Sequence, residues 1–436
     1  MRSYFQLELK SLLASRALWV LLLFTAPLVG YSYIEAVNLY AEASRPALVT
    51  AQMAPGLNPF DGVIVPTFGS IYLALTLLFP FVAIRTIAGD RDNGALLLLL
   101  QMPSHSSVLL SSKVATLLLA LFLVELPGLF TLIQWRLVGQ GHIYVPEMLC
   151  LLLGHLLYGL SIIAISLFCA SITETASTAA LLALACTLGS WVLDFAAAGG
   201  GFWATKISVL SLTASLKPFE QGLLVWSVVA GVVLAAMVLF ALTLLWWHPG
   251  RPMSVKLTRS VGLLVMGFAL SLSLHYVVGS VDLTEDQRHS FPSGVRVALE
   301  QIHEPVRVEV YLAPEDPRFM DFDRSILAKL KRVLPQAKVV NRKANQAALF
   351  RTGEDPNYGL IVYQIGARRA ESRSTSPEEV LPLLWNLGGV TPPGADDQTT
   401  YPGYPVVVKS SSSAELIFYV LCPAICFAGW FLFSRR

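Results

Sequence analysis

The sequence predicts a polytopic α-helical membrane protein of about eight spans that carries a small extracytoplasmic α/β domain. Three observations predict it. Of 436 residues, 55% are hydrophobic and only 14% are charged, against about 25% charged in an ordinary soluble domain. The charge deficit is local: Asp282 to Ser413 is rich in Asp, Glu, Arg, Pro and Ser and reads as a water-exposed domain. Elsewhere the apolar residues gather into runs near the ~20 that a bilayer core needs per helix.

Residues 1–16 read as an amphipathic surface helix. Phe5, Leu9, Leu12 and Leu13 fall on one face, and Arg2, Lys10 and Arg16 are available to anionic lipid. A cleaved signal peptide is the competing reading. The run that follows is long and lacks a small-x-small cleavage site, and cleavage would leave an odd span count, so an uncleaved helix is favoured. Apolar stretches at Ala17–Glu35, Thr67–Ile84, Val114–Ile133, Met148–Ala170, Thr178–Ala196 and Gly222–Trp247 make a six-span unit over residues 17–250. Residues 251–281 supply a loop and a seventh span, Ser260–Val281, and residues 414–436 supply the eighth, Ala414–Phe433, and a tail. Runs this apolar are helices, because irregular backbone does not face lipid.

Basic residues set the orientation. With the N-terminus inside, the cytoplasmic side carries Arg2, Lys10, Arg16, Arg85, Arg91, Lys113, Arg251, Lys256, Arg259, Arg435 and Arg436, and the opposite short loops carry Arg45, Arg136, Lys206 and Lys217. Eleven against four places both termini in the cytoplasm and the polar domain, residues 282–413, outside. Within that domain Val306–Leu312 alternates like a strand, and Phe319–Leu334 has helical spacing. Ala337–Val340 and Gly359–Ile365 read as further strands, and Pro377–Leu387 as a helix capped by Ser376. Ala367–Ser376 reads as a polar connection, Gly388–Pro405 as a Gly/Pro-rich loop and Ser410–Ser413 as a tether.

Several chemistries find no residues. The phosphate-cradling Gly-x-x-x-x-Gly-Lys-Ser/Thr, His-Glu-x-x-His and Gly-x-Ser-x-Gly patterns do not occur. No enzymatic activity, metal or cofactor is therefore expected in this chain. A net charge of +2 points to no nucleic-acid partner. All five cysteines, Cys150, Cys169, Cys186, Cys422 and Cys426, fall in apolar stretches and read as small hydrophobes, so the polar domain must fold without disulfides.

Charges inside the spans are costly, about 2.5–3.5 kcal/mol for a carboxylate at a helix centre on insertion scales. Glu125, near the middle of span three and followed by Pro127, is the foremost such residue. A pathway role and a structural one, answering backbone groups freed by Pro127, both fit, with His155 and Arg136 as candidate partners. His155 and Asp194 read as interfacial residues first and as pathway residues second. The clusters Arg368, Arg369, Arg373 and Glu315, Asp316, Asp321, Asp323 read as solvated surface.

Between spans two and three lies a different kind of element. Asp90-Arg91-Asp92-Asn93-Gly94 is followed by Ala95 and five leucines, then by Pro103 nine residues after the glycine and Lys113 ten after the proline. The acidic residues read as the N-terminal charges of a short surface helix, worth about 0.3–1 kcal/mol against its dipole. The pattern resembles that of ABC-2 type transporter permeases, where an acidic-Arg-acidic-x-Gly-Thr start leads to a Leu-rich helix, a Pro-Val-Ser stop and a Gly-Lys. Departures are aspartates for glutamates, Ala95 for Thr, Ser104-His105 for Val-Ser and Ser112 for Gly. Asp282-Leu-Thr-Glu-Asp-Gln-Arg-His-Ser290 and Glu304-Pro-Val-Arg-Val-Glu-Val-Tyr-Leu312 are similar to the start of the extracytoplasmic domain of gliding-motility-type ABC auxiliary proteins.

The resemblances imply an exporter's permease subunit in a bacterial cytoplasmic membrane. They imply a separate ABC ATPase dimer that binds ATP and Mg and docks on Asp90, Arg91, Asp92, Gly94, Pro103 and Lys113, and a second permease copy or homologue. The alternative they leave open is a non-transporting mechanotransmission complex that acts on the outer domain.

Overall fold

The computed structural model describes residues 2–50, 54, 56–102, 105–139, 141–198, 211–248, 250–274, 277, 279–313, 316–342, 357–393, 401–406 and 412–434. The chain divides into two compact units, one of long helices and a smaller one built around Ser280–Tyr401.

The helical unit begins with α1 (Arg2–Ala14) and continues with α2 (Arg16–Val49), α3 (Val65–Leu77), α4 (Phe79–Asp92) and the short α5 (Ala95–Gln101). Then come α6 (Ser106–Gly139), α7 (Val145–Ile172), α8 (Ala176–Ala198), α9 (Leu212–Glu220), α10 (Trp226–Trp246) and α11 (Met253–Ser273). Among the described residues, eight helices are long and apolar enough to cross a membrane, ending with Ser413–Phe433. Each predicted span has its helix, but the boundaries move. The first runs on past Glu35 to Val49, because Tyr33, Ala36, Val37, Tyr40 and Ala41 continue its buried stripe. The second starts early, at a π-turn over Phe60–Ile64, and α4 carries it through Asp92. Arg85 to Asp92 is therefore helix continuous with the span, beyond its predicted end at Ile84. The seventh lies seven residues earlier than expected, at Met253–Ser273.

Glycines set how closely these helices approach. A Cβ on Gly30 would meet the Phe418 side chain at 2.3 Å, and one on Gly429 would meet the Trp19 ring at 2.3 Å. The last helix thus runs antiparallel along α2, with Phe433 stacked on Trp19 and Phe418 tilted against Tyr33. Far from α1, an aromatic collar ties the chain's return to the helical unit. The Tyr40 hydroxyl donates to the Tyr404 carbonyl at 2.7 Å, and the Tyr404 amide donates to Leu57 at 3.0 Å. The Val406 amide donates to Ser44 Oγ at 3.2 Å, and the His142 and Tyr404 rings stack. Chain from Pro402 onward therefore belongs with the helices, whereas the sequence assigned everything to Ser413 to the polar domain. The proposed tether Ser410–Ser413 lies largely outside the described residues, and Ser412 already opens a helical turn.

The small unit is an α/β domain. Its sheet has the order β2 (Lys338–Asn341), β1 (Val306–Val310), β3 (Ile361–Ile365), β4 (Arg368–Ser372), with β1 parallel to β2 and the other pairs antiparallel. Alternation puts Val306, Val308 and Val310 of β1 and Ile361, Tyr363 and Ile365 of β3 on one buried face. Phe322, Ile326, Leu327 and Leu330, from the helical crossover over 317–333, cover that face, joined by Val380 and Leu384 of the helix Pro377–Gly388. Ser376 caps the latter helix as predicted, accepting from the Glu378 amide at 3.3 Å. Two elements differ from the sequence reading. The polar connection Ala367–Ser376 contains the edge strand β4, whose largely exposed residues give no apolar alternation to read. It is joined to β3 by a tight turn in which Gly366 takes φ +57°. Helix Ser293–Glu300 was not anticipated.

The entry to this domain is a turn organised by one carboxylate. Asp282 accepts from the Thr284 amide (3.1 Å) and hydroxyl (2.5 Å), the His289 amide (3.0 Å) and the Ser290 hydroxyl (2.8 Å). Burial raises its pKa, but the Thr284 and Ser290 bonds outweigh burial and hold it below 3.8. A carboxylate with a lowered folded-state pKa contributes stability that is complete above 3.8 and is lost as pH falls through the lower folded value. Asp282→Asn should therefore lower the domain's stability by about 2 kcal/mol at neutral pH, the scale of hydrogen bonds to a charged group, and abolish this acid-dependent part. Hydrogen exchange of the β1 and β3 amides from pH 3 to 7 measures both; equal protection in the variant and the wild type would contradict the assignment.

Candidate functional site: a buried charge clasp and a carboxylate–imidazole pair

Lys113 is the centre of the first cluster. It enters on α6, whose start at Ser106 places it two helical turns into the helix, and its side chain is 0% exposed. Its ammonium donates to Glu8 Oε1 of α1 at 2.7 Å, to the Thr86 carbonyl at 2.7 Å and to Asp90 of α4. Three donors thus meet three acceptors, which satisfies the ammonium completely. Burial raises the Glu8 pKa, and the charge and hydrogen bond of Lys113 oppose that shift. Next to Asp90, Arg91 points the other way and donates through Nη1 to the Ala170 carbonyl (2.9 Å) and to the Thr173 carbonyl. These lie at the end of α7, where a cation answers both the unpaired carbonyls and the negative end of the dipole.

This geometry corrects the dipole argument from sequence. Asp90, Arg91 and Asp92 are the last turn of α4, and α5 begins only after Gly94, which takes the left-handed φ +70° that breaks the helix. Carboxylates at a helix C-terminus are unfavourable by the dipole. For Asp90 the contact with Lys113 compensates; Asp92 remains exposed and lines an open cavity of about 500 Å³ with Arg85, Gly89 and Ala176. Asp90 is thus an internal ion-pair partner as well as a member of the motif. Beyond Gly94, Leu99 faces inward, while Leu97 and Leu98 are 55% and 64% exposed. The Tyr4 hydroxyl donates to Met102 Sδ at 3.4 Å, which ties the end of this segment to α1. Pro103 lies outside the described residues. Glu8, the carboxylate that completes the clasp, was not singled out by sequence; its polar side chain on the apolar stripe of an amphipathic helix was the available signal.

The second cluster lies in the long helices. Glu125 Oε1 of α6 is 3.2 Å from His155 Nδ1 of α7, both residues being buried. Of the two candidate partners for Glu125, His155 is the one met, and Arg136 is exposed near the end of α6. His155 is 1% exposed and packs edge-on to Phe68, which removes it from the interfacial role the sequence suggested. Glu125 Oε2 and His155 Nε2 have no hydrogen-bond partner among the described residues. Glu220, at the end of α9, lies within electrostatic reach of the imidazole. It comes there because α9 packs on α7: a Cβ on Gly154 would meet Phe219 at 2.5 Å. Burial raises the Glu220 pKa, with His155 and Lys217 opposing. Sequence gave no reason to link Glu220 to His155, since the contact depends on how α9 turns back along the helices. Asp194 sits in the last turns of α8, and its side chain lies outside the described residues. No group of three or more metal-ligating side chains occurs among the described residues.

Replacing Lys113 by Met should destabilise the helical unit by about 3 kcal/mol, because Glu8 would be left buried, and Asp90 half-buried, without a counter-charge. The triple variant Glu8→Gln, Asp90→Asn, Lys113→Met should recover most of that loss. Thermal unfolding of the detergent-purified chain measures both, and a Lys113→Met variant as stable as wild type would remove the clasp from the stability argument. Comparison of this chain with protein-family models, with curated proteins and with solved structures finds no match.

Proposed function

We propose that the chain is the membrane permease subunit of an ABC-type exporter and couples ATP hydrolysis in a separate ATPase subunit to substrate export. The observation that carries this reading is the α4–α5 element. A seven-residue helix with two neighbouring exposed leucines follows a left-handed glycine, and its root is locked to three other helices through Asp90, Lys113 and Arg91. An element that only rested at the surface would not need a buried ion pair beneath it. A push on Leu97 and Leu98 would pass through the short connection at Gly94 into α4, and from there through the clasp to α1, α6 and α7. That is the mechanical requirement for transmitting closure of a partner ATPase.

In this reading α5 lies in the cytoplasm of a bacterial cell and the Ser280–Tyr401 domain outside, with both termini cytoplasmic, an orientation that the basic-residue bias supports. The Glu125–His155 pair is then a candidate pathway element, since its Oε2 and Nε2 are buried polar atoms with no hydrogen-bond partner among the described residues. One observation favours the mechanotransmission alternative: the chain leaving the small domain is hydrogen-bonded to α2 through Tyr40 and Ser44. A fastening of that kind suits a device that moves the outer domain.

Two experiments test the proposal. Leu97→Asp with Leu98→Asp should leave the fold intact, since both side chains are exposed, while abolishing copurification of an ATPase subunit or uncoupling its activity; undiminished copurification and coupled hydrolysis would count against docking at α5. For topology, tags at Met1 and after Arg436 should report the cytoplasm, and a cysteine replacing Asn357 should react with an impermeant reagent in intact cells. Reaction at that position only after permeabilisation would reverse the orientation.

A further inference from the structure

On the flank of the helical unit a groove of about 300 Å³ runs between α2 and the last helix, lined by Arg16, Trp19, Val20, Leu23, Cys426 and Trp430, with Phe427 at its edge. We propose that it binds one anionic phospholipid, with the phosphate on Arg16 and one acyl chain along Trp19, Val20 and Leu23. The proposal rests on the reading of these helices as membrane spans.

The groove is built rather than incidental. Trp19 is fixed by an indole N–H that donates to the Leu13 carbonyl at 2.7 Å and by stacking on Phe433 at 6.1 Å. The missing side chain at Gly429 leaves the space that the Trp19 ring enters. The walls are apolar, and one cation stands at one end. Seven residues of helix separate Arg16 from Leu23, about 10 Å along the axis, which is some two thirds of one leaflet's hydrocarbon depth. A headgroup-level cation, two tryptophans near the polar boundary and an apolar channel descending from them match the layers of a phospholipid in order.

Charge decides which phospholipid. Arg16 is exposed and has no ion pair among the described residues, and the same holds for Lys10 on α1. The carboxylate of Glu8 on α1 is already engaged by Lys113. An anionic headgroup would meet uncompensated positive charge, at roughly 1 kcal/mol per basic residue near a charged leaflet.

The test uses the full chain purified in mild detergent and exposed to equal amounts of phosphatidylglycerol and phosphatidylcholine, with retained lipid read by native mass spectrometry. Phosphatidylglycerol should be retained at least threefold over phosphatidylcholine. Arg16→Gln should bring that ratio to about one, and Val20→Trp, which fills the groove, should lower retention of both. An unchanged ratio in Arg16→Gln overturns the proposal, and so does a retained mass that proves to be a polypeptide. Should Val20→Trp not fold, nanodiscs with brominated phosphatidylglycerol replace it: wild type should lose more tryptophan fluorescence than Trp430→Phe, and equal quenching overturns the site. Recovery of the chain in the soluble fraction without detergent would instead overturn the membrane reading, whereas a membrane-bound chain without lipid preference overturns this inference alone.

Discussion

A lysine ammonium held out of water between two carboxylates is the constraint on which the helical unit depends at the α1 end. An unpaired ammonium at 0% exposure would cost several kcal/mol. At Lys113 that cost is offset, because Glu8, Asp90 and the Thr86 carbonyl each accept a hydrogen bond from its ammonium. Glu8 comes from α1 and both Thr86 and Asp90 come from α4, so the ammonium on α6 is satisfied only when all three helices are in place. Arg91 extends the same logic to α7 through two carbonyls. Burial makes these contacts conditional on one another, which is how a polar cluster gives specificity to a unit whose other contacts are mostly interchangeable apolar ones.

At the opposite end the solution is different. There the helices are joined by an aromatic collar of Tyr33, Tyr40, Trp135 and Phe418, and the returning chain accepts a hydrogen bond from Tyr40 and donates to Ser44 and Leu57. These contacts carry no formal charge and are individually modest. Between the two ends, close approach at Gly30 and Gly429 sets the spacing of α2 and the last helix.

The Glu125–His155 pair, on α6 and α7, lies between these two ends. Two of its polar atoms lack partners among the described residues, and a second carboxylate, Glu220, approaches the imidazole. Incomplete satisfaction is costly in an apolar setting, so its persistence at this place agrees with the proposed role on a path. Pro127, two residues along α6, cannot donate to the helix ladder; the carboxylate near it pairs with His155.

Much of this protein was legible in its sequence, for a physical reason. Helices that bury apolar faces must show long apolar runs, so all eight were visible, and the alternation in Val306–Val310 and the Ser376 cap are local signals of the same sort. The Asp90–Lys113 spacing was visible too, because it is a pattern within a few turns of chain. What the sequence could not settle was which partner a charge meets: it left His155 and Arg136 both open to Glu125 and did not link Glu8 to Lys113. Glu8 and Lys113 are 105 residues apart and Glu125 and His155 are 30 apart, and only the packing of helices brings them within hydrogen-bond reach. The same holds for β4, whose residues carry no apolar pattern and become a strand because β3 presents a free edge. It holds for Gly94, where the left-handed turn, rather than the nearby charges, decides that Asp90 and Asp92 end one helix instead of starting the next. Periodicity and composition record what each segment must bury; which buried charge meets which is settled by tertiary packing, because the desolvation cost of a lone ion can be met only by groups that arrive from elsewhere in the chain.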